Sequence, residues 1–224
     1  MGLGHLGASF AIRGRFPRIP LFFLLLAAVF VDVLWGFTIL TGIEHARISA
    51  ERGSVIPLVL EDVPYTHSLV ACLLWAAMAG GAWWLWRRDR AGAIVLAALV
   101  VSHWVLDYVS HVDDVPLLPA GPMLGLGLWR SRVASLIVEL GMLGAGIALY
   151  AASTRARDRI GAFGLPIYAA VLVVVGAGAF LGPPPPSIVP MATGSIVIIV
   201  PLLLLQWVDG HRLVRSTEQQ ASRR

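Results

Sequence analysis

The sequence predicts an all-α fold, a polytopic transmembrane helical bundle in a single integral membrane domain over residues 1–224, with six spans and both termini cytoplasmic. Three observations predict it. Of the 224 residues, 58% are hydrophobic and only 13% charged, against about 45–50% apolar and about 25% charged in soluble domains. The apolar residues gather into six runs of about 20 residues, the length a helix needs to cross the hydrocarbon core. The positive charge is all arginine and lies in clusters beside alternate ends of those runs. This composition excludes a soluble enzyme, a nucleic-acid binder and a disordered tail.

The spans are expected at about 19–40, 67–86, 92–111, 131–152, 162–181 and 188–208. Arg13, Arg15 and Arg18 precede the first; Arg87, Arg88 and Arg90 fill the turn after the second. Arg155, Arg157 and Arg159 join the fourth to the fifth, and Arg212, Arg215, Arg223 and Arg224 follow the sixth. The alternate connections hold only Arg47, Arg52, Arg130 and Arg132. Positive charge beside span ends marks the cytoplasmic face, which fixes the expected orientation. The first run follows three arginines as a signal peptide would, but it is long and lacks a small-x-small cleavage site, so it reads as a retained span. Trp83, Trp84, Trp86 and Trp207 fall at inner ends and Trp35 and Trp129 near outer ends, as interfacial belts would. Ala77/Gly81 and Gly141/Ala145, each four apart, suit close helix packing. Cys72, the only cysteine, permits no intrachain disulfide and reads as a small packing residue.

Two long connections, 41–66 and 112–130, face outward. They carry Glu44, Glu51, Glu61, Asp62 and Pro64 in one, and Asp113, Asp114, Pro116, Pro119 and Pro122 in the other. Long loops on a rigid scaffold are where binding sites concentrate. The third outward connection, Gly182 to Ser187, is a stiff polyproline spacer.

Three carboxylates, Asp32, Asp107 and Glu139, lie within the spans, and no arginine lies well inside any span to neutralise them. An unpaired acid at mid-membrane costs about 2.5–3.5 kcal/mol on insertion scales. The compensation is therefore a proton, an added cation or water in an open cavity. Asp32 and Glu139 each lie about eight residues from an outer span end, a depth of about 12 Å at 1.5 Å per residue. His103, Asp107 and His111 are spaced four and four, so they share one helical face within about 80°. His67 opens the second span. Four segments thus bring Asp32, His67, His103, Asp107, His111 and Glu139 to the outer half of the bilayer.

Imidazole and carboxylate ligands suit Zn²⁺, Mn²⁺ or Fe²⁺. Asp32, His67, His103, Asp107 and His111 are the candidate metal ligands. Glu139, or Asp32 if it is not a ligand, is the candidate catalytic base for a metal-activated water. A proton or ion relay and a purely structural polar cluster are the alternatives. His45 is expected to be solvated; His5 and His211 are expected on the cytoplasmic side, away from the cluster. Asp113 and Asp114 form either a solvated turn or, for Asp114, a support for His111.

Thr66-His67-Ser68-Leu69, then Ser102-His103-Trp104-Val105-Leu106-Asp107 and His111, resembles the YdjM-like membrane-bound, predicted metal-dependent hydrolases. The similarity is closer to a set of uncharacterised six-span bacterial membrane proteins. There it extends to Asp32 with Leu34-Trp35, Gly42 to His45, Pro64 to Leu69, Asp114 to Leu117, Gly125 to Trp129, and Glu139. The resemblance implies a hydrolase in the bacterial inner membrane. The chain departs from the YdjM-like pattern at Val31-Asp32-Val33, where an acid-rich Pro-Asp-x-Asp element stands, and at Val63-Pro64-Tyr65, where His-Arg is usual. The resemblance therefore does not extend to a two-metal mechanism or a phosphoester substrate.

The expected function is an integral inner-membrane hydrolase with a divalent metal, zinc first, acting from the outer-leaflet side on a lipid-linked or amphipathic substrate. The expected partners are the lipid bilayer and that substrate, with no nucleic acid. A proton- or ion-coupled transporter and a non-catalytic membrane scaffold are the alternatives.

Overall fold

The computed structural model describes residues 1–49 and 53–215; Glu51, Arg52, Arg223 and Arg224 lie outside the described residues. Its helices are α1 (Gly2–Ile12), α2 (Leu21–Leu40), α3 (Leu69–Arg87), α4 (Arg90–Ser110), α5 (Arg132–Ser153), α6 (Arg159–Leu181), α7 (Val189–Val197) and α8 (Ile199–Gly210). Six helical segments, with α7 and α8 taken as one, are long and apolar enough to cross a membrane. They coincide with the six expected spans to within about three residues. Side chains such as Leu74, Ile94, Ile137 and Val174 are exposed on the outside of the bundle, a surface suited to lipid and not to water.

Local chemistry sets the helix starts. Ser68, Asp89, Ser131 and Asp158 each accept a hydrogen bond from the backbone N–H three residues on, which satisfies one donor left free by the first turn. The last span is interrupted near Ile198. Pro201 has no N–H to give to the carbonyl four residues back, so the helical ladder lapses there.

α2 is the central helix and packs on α1, α4, α7 and α8. α3 and α4 form a tight antiparallel pair in which Gly80 lies against the Ala93 carbonyl. The close-packing pairs differ from those expected. Gly81 and Gly141 have open space where a Cβ would stand, and Ala77 and Ala145 are exposed. The tight contacts fall one helical face away, at Ala76/Gly80 and at Gly146.

Residues 1–12 are the main departure. They fold back into the bundle as α1, packed chiefly along α5. Gly7 and Gly146 make this possible, because a Cβ on either would run into the carbonyl of Met142 or Gly7. Eleven residues cover about 16 Å, half a bilayer core, so no search for spans registers them. Met1 is buried in the bundle and does not project from its Arg-rich end.

The connections at the other end carry two small antiparallel hairpins. β1 (His45–Ile48) pairs with β2 (Leu58–Asp62), and β3 (Val115–Pro116) pairs with β4 (Met123–Leu124). A 3-10 turn at Leu128–Arg130 leads into α5. At the Arg-rich end β5 (Thr154–Ala156) pairs with β6 (Arg212–Val214). Trp35, Trp83 and Trp129 are buried; only Trp84, Trp86 and Trp207 of the expected belt residues are exposed.

Candidate metal centre

The cluster is assembled from four places in the chain. Asp32 comes from the middle of α2, and His103 and Asp107 lie one turn apart on α4. His67 immediately precedes the Ser68 cap of α3, and His111 is the residue that ends α4. His103 Nε2 lies 3.1 Å from Asp107 Oδ2 and 3.6 Å from Asp32 Oδ1. His67 Nε2 lies 3.6 Å from Asp32 Oδ1 and 3.7 Å from Asp107 Oδ2. His111 reaches the group only through Asp107 Oδ1, at 4.0 Å. Asp32, His67 and His103 present ligand atoms all within 4.8 Å of one another, and so do His5, His103 and Asp107.

The other ring nitrogen of each histidine determines what Nε2 can do. His103 Nδ1 is 2.8 Å from the Ala28 carbonyl, which only accepts, so Nδ1 carries the proton. His67 Nδ1 is 2.9 Å from Thr66 Oγ1. The Thr66 hydroxyl donates to Glu44 Oε2 at 2.7 Å, leaving its lone pair to accept from His67. Glu44 also accepts from the Tyr65 and Thr66 amides and from the Thr38 hydroxyl. His111 Nδ1 is 2.9 Å from Asp114 Oδ1, whose Oδ2 accepts from the Leu60 amide. In neutral rings all three Nε2 atoms are then bare lone pairs, those of His67 and His103 facing carboxylate oxygens in a buried pocket. His103 Nε2 has no hydrogen-bond partner. Acceptors held this close are reconciled by a proton or a cation between them, and a histidine anchored at one nitrogen and presented at the other is how metal ligands are oriented.

The Thr66-His67-Ser68 motif therefore divides into three tasks. Thr66 relays Glu44 to the ring, His67 faces the cluster, and Ser68 caps α3 while donating to the Pro64 carbonyl.

His5 corrects the sequence reading. It was expected at the cytoplasmic side; instead α1 carries it into the cluster, where its ring stacks on His103 at 4.0 Å and Nε2 lies 3.2 Å from Asp107 Oδ1. Its Nδ1 has no partner. The Met1 amine forms an ion pair with Asp107, and the Leu3 amide, in the first turn of α1, donates to Glu139 Oε2 at 2.8 Å. The positive end of the α1 dipole thus points at two buried acids. Glu139 Oε1 accepts from Trp129 Nε1 at 3.2 Å. Glu139 lies on the wall of the same cavity as the cluster but is not among the grouped ligand atoms.

His45 is exposed as expected, and His211 stays at the Arg-rich end, paired with Asp158. Asp113 is exposed, whereas Asp114 is buried as the support of His111. Cys72 is buried and donates to the Thr66 carbonyl, in keeping with a packing role.

No family model, curated protein or solved structure matches the chain. The site rests on its own geometry. A cavity of about 710 Å³ opens from Asp32, Asp107, His67 and His111 and continues between apolar walls from α6 and α7. Towards the hairpin end Ile56, Trp129 and Phe180 pack together over it, with Met191 against them. The Val55 amide ties this cover to the Trp129 carbonyl at 2.7 Å, and the Leu60 amide ties β2 to Asp114.

Glu44 and His5 are the site residues that sequence reading missed. Glu44 reads in the sequence as one loop acid among several. His5 sits in an apolar segment too short to register as a span. Its only available signal was the absence of any charged side chain before Arg13.

Proposed function

We propose that the protein is an integral-membrane, metal-dependent hydrolase whose cluster holds one divalent cation. The observation that carries this reading is the set of Nε2 lone pairs facing Asp32 and Asp107 at 3.1–3.7 Å. Two ligand atoms each about 2.1 Å from a tetrahedral Zn²⁺ stand about 3.4 Å apart. The nitrogen–oxygen separations in this cluster match that spacing. Two imidazoles with two carboxylates suit Zn²⁺, with Mn²⁺ or Fe²⁺ served by the same donors. With the Arg-rich end in the cytoplasm, the site lies in the outer half of a bacterial inner membrane.

Asp32, His67, His103 and Asp107 supply the ligands, and His111 approaches from the edge. Glu44, Asp114 and the Ala28 carbonyl hold the rings in register. When bound there, a divalent cation would lower the pKa of a water and polarise the scissile bond. Glu139, held by Trp129 and the Leu3 amide on the wall of the same cavity, would take a proton from a water there and return it to the leaving group. Metal analysis of the purified, reconstituted protein tests the reading. About one ion per chain is expected, lost in His103→Ala and in Asp107→Ala. Sub-stoichiometric metal after reconstitution with Zn²⁺ overturns it.

Two features favour a proton- or ion-coupled transporter as a second reading. α1 is a half-helix ending at buried acids, and the α7–α8 span is broken; discontinuous helices of this kind bind ions in transporters. Proton flux in proteoliposomes, abolished by Asp32→Asn, would establish it.

A further inference from the structure

The cavity's shape says where a substrate comes from. Over the cluster, towards the hairpin end, the way is covered by Ile56, Trp129 and Phe180. Sideways the boundary differs. α6 packs on α8 near the Arg-rich end, where Gly164 meets Val208, and on Leu3 of α1 at Gly176. It makes little contact with α7. Val171 and Val175 on α6, with Pro190, Gly194 and Val197 on α7, line the cavity and are also exposed on the outer surface of the bundle. The cavity therefore opens through a window between α6 and α7, at a level occupied by apolar spans. From Tyr168 to Phe180 the α6 wall runs about 18 Å, more than half the roughly 30 Å hydrocarbon thickness.

We infer that this window admits the hydrocarbon chain of a membrane lipid and that the protein cleaves an acyl ester of that lipid at the His/Asp cluster. The inference rests on the hydrolase reading and deepens it. Three properties select this occupant. The walls between α6 and α7 are apolar, so they solvate a chain and not a sugar or a peptide backbone. The window faces the bilayer, so the chain passes from lipid to cavity without crossing water. The cavity lining contains no arginine among the described residues, while it does contain Asp32, Asp107 and Glu139. The one fixed cation on that lining, the Met1 amine, is already paired with Asp107, so a phosphate at the reacting bond would meet acids and no free cationic group among the described residues, whereas a carboxylic ester is uncharged. In the step, water oxygen bonds to the acyl carbon and the bond from that carbon to the alcohol oxygen breaks. One water proton passes through Glu139 to the alcohol oxygen, giving a free fatty acid and an alcohol.

The test uses the full chain in nanodiscs of phosphatidylethanolamine and phosphatidylglycerol, doped with a phosphatidylcholine carrying a diazirine on its acyl chain. Irradiation and peptide mapping are expected to find adducts on Tyr168 and Leu172, inside the window, as well as on Val174, which faces outward. Gly194 has open space where a Cβ would stand, so Gly194→Phe narrows the mouth without a clash. It is expected to lose the Tyr168 and Leu172 adducts and keep that on Val174; Ala179→Phe, on the opposite wall, is expected to do the same. Wild-type protein without the inner adducts, or inner adducts that survive both substitutions, overturns the lipid window. So does a dimer that shields Val174 and Val175 from the probe. Fatty acid released from the same discs, and lost in His103→Ala, supports the ester step, whereas release of phosphate or a phosphorylated headgroup overturns it. Metal content of each sample separates the two readings. Full metal without inner adducts overturns the window alone, and inner adducts without metal overturn the hydrolase alone.

Discussion

At the Arg-rich end of the bundle, Asp209 accepts from Arg13 Nη2 at 2.8 Å and from the Tyr150 hydroxyl at 2.7 Å, with Arg13 Nε 3.3 Å from both oxygens. At the hairpin end, Asp32 and Asp107 face the Nε2 atoms of His67 and His103. Both groups place charge among apolar side chains. The first contains its own counter-ion, leaving one Arg13 nitrogen, Nη1, unbonded. The second has no arginine, only the Met1 amine paired with one of its two acids, and leaves His103 Nε2 without a hydrogen-bond partner. A buried pair complete in itself is an element of structure. A group of acceptors converging on one point could hold a metal ion, and that is the difference between the two ends of the bundle.

The sharpest way to break this contrast is to remove a partner from the self-contained group. Arg13→Ala leaves Asp209 buried and uncompensated, which is expected to cost about 3–5 kcal/mol. Thermal unfolding in detergent reads the loss, and metal content is expected to stay unchanged. Arg13→Met combined with Asp209→Leu is expected to recover most of the stability, since a buried pair is replaceable by packing. The hairpin-end cluster should respond in the opposite sense, to the ion more than to its own pairing. At free metal 100-fold above Kd, Zn²⁺ is expected to stabilise the wild type by about 2.7 kcal/mol. A chelator should remove that gain, and the unfolding midpoint of His103→Ala should not respond to metal. A metal response surviving in His103→Ala would show that the ion sits elsewhere.

How much of this was legible in the sequence follows the same division. The six spans read clearly because 20 apolar residues have one stable arrangement in a bilayer. His103, Asp107 and His111 read clearly because helical periodicity fixes their common face, and Asp32 and His67 joined them by depth. Arg13 did not read as a partner of Asp209, because near a span end a cytoplasmic anchor and a buried counter-ion look alike. The pairing depends on how α1 and α8 cross, which no local pattern encodes. Glu44 was lost for a related reason. Its role depends on a loop folding back so that Tyr65, Thr66 and Thr38 all donate to it. His5 required knowing that residues 2–12 enter the bundle, and the signal for that, Gly7 against Gly146, is a contact between segments 139 positions apart.

Glu44 offers a finer probe of what completes the site. Glu44→Gln keeps the side chain's shape but presents amide hydrogens to Thr66, and Thr66→Val removes the relay to His67 Nδ1. Either is expected to weaken metal affinity about 10–100-fold, as loss of a ligand's supporting hydrogen bond does, a change of about 1.4–2.7 kcal/mol. Asp114→Asn should weaken it less, because His111 stands 4.0 Å from Asp107 and reaches the cluster only there. Isothermal titration with Zn²⁺ ranks the three. A Thr66→Val protein with wild-type affinity would mean that the tautomer of His67 is set by the ion alone.

The smallest effect belongs to an exposed pair at the Arg-rich end. Asp158 accepts from His211 Nδ1 at 2.6 Å and from the Gly161 amide at 3.0 Å. The His211 hydrogen bond first, then the backbone amides, holds its carboxyl below the ordinary carboxylate range. A depressed carboxylate contributes stability that is present above its unfolded pKa of about 3.9 and is lost as pH falls through the lower folded value. Asp158→Asn should therefore flatten the acid limb of the stability curve below about pH 4, with little change above neutrality in metal content or lipid labelling. The centre should lose its ion at higher pH than that, because protons compete with the metal for its imidazole ligands. Two acid transitions in the wild type are thus expected, the upper one metal-dependent and insensitive to Asp158→Asn. If removing the metal left the upper transition in place, the histidines of the cluster would be titrating against a proton and not an ion, and the relay reading would replace the metal one.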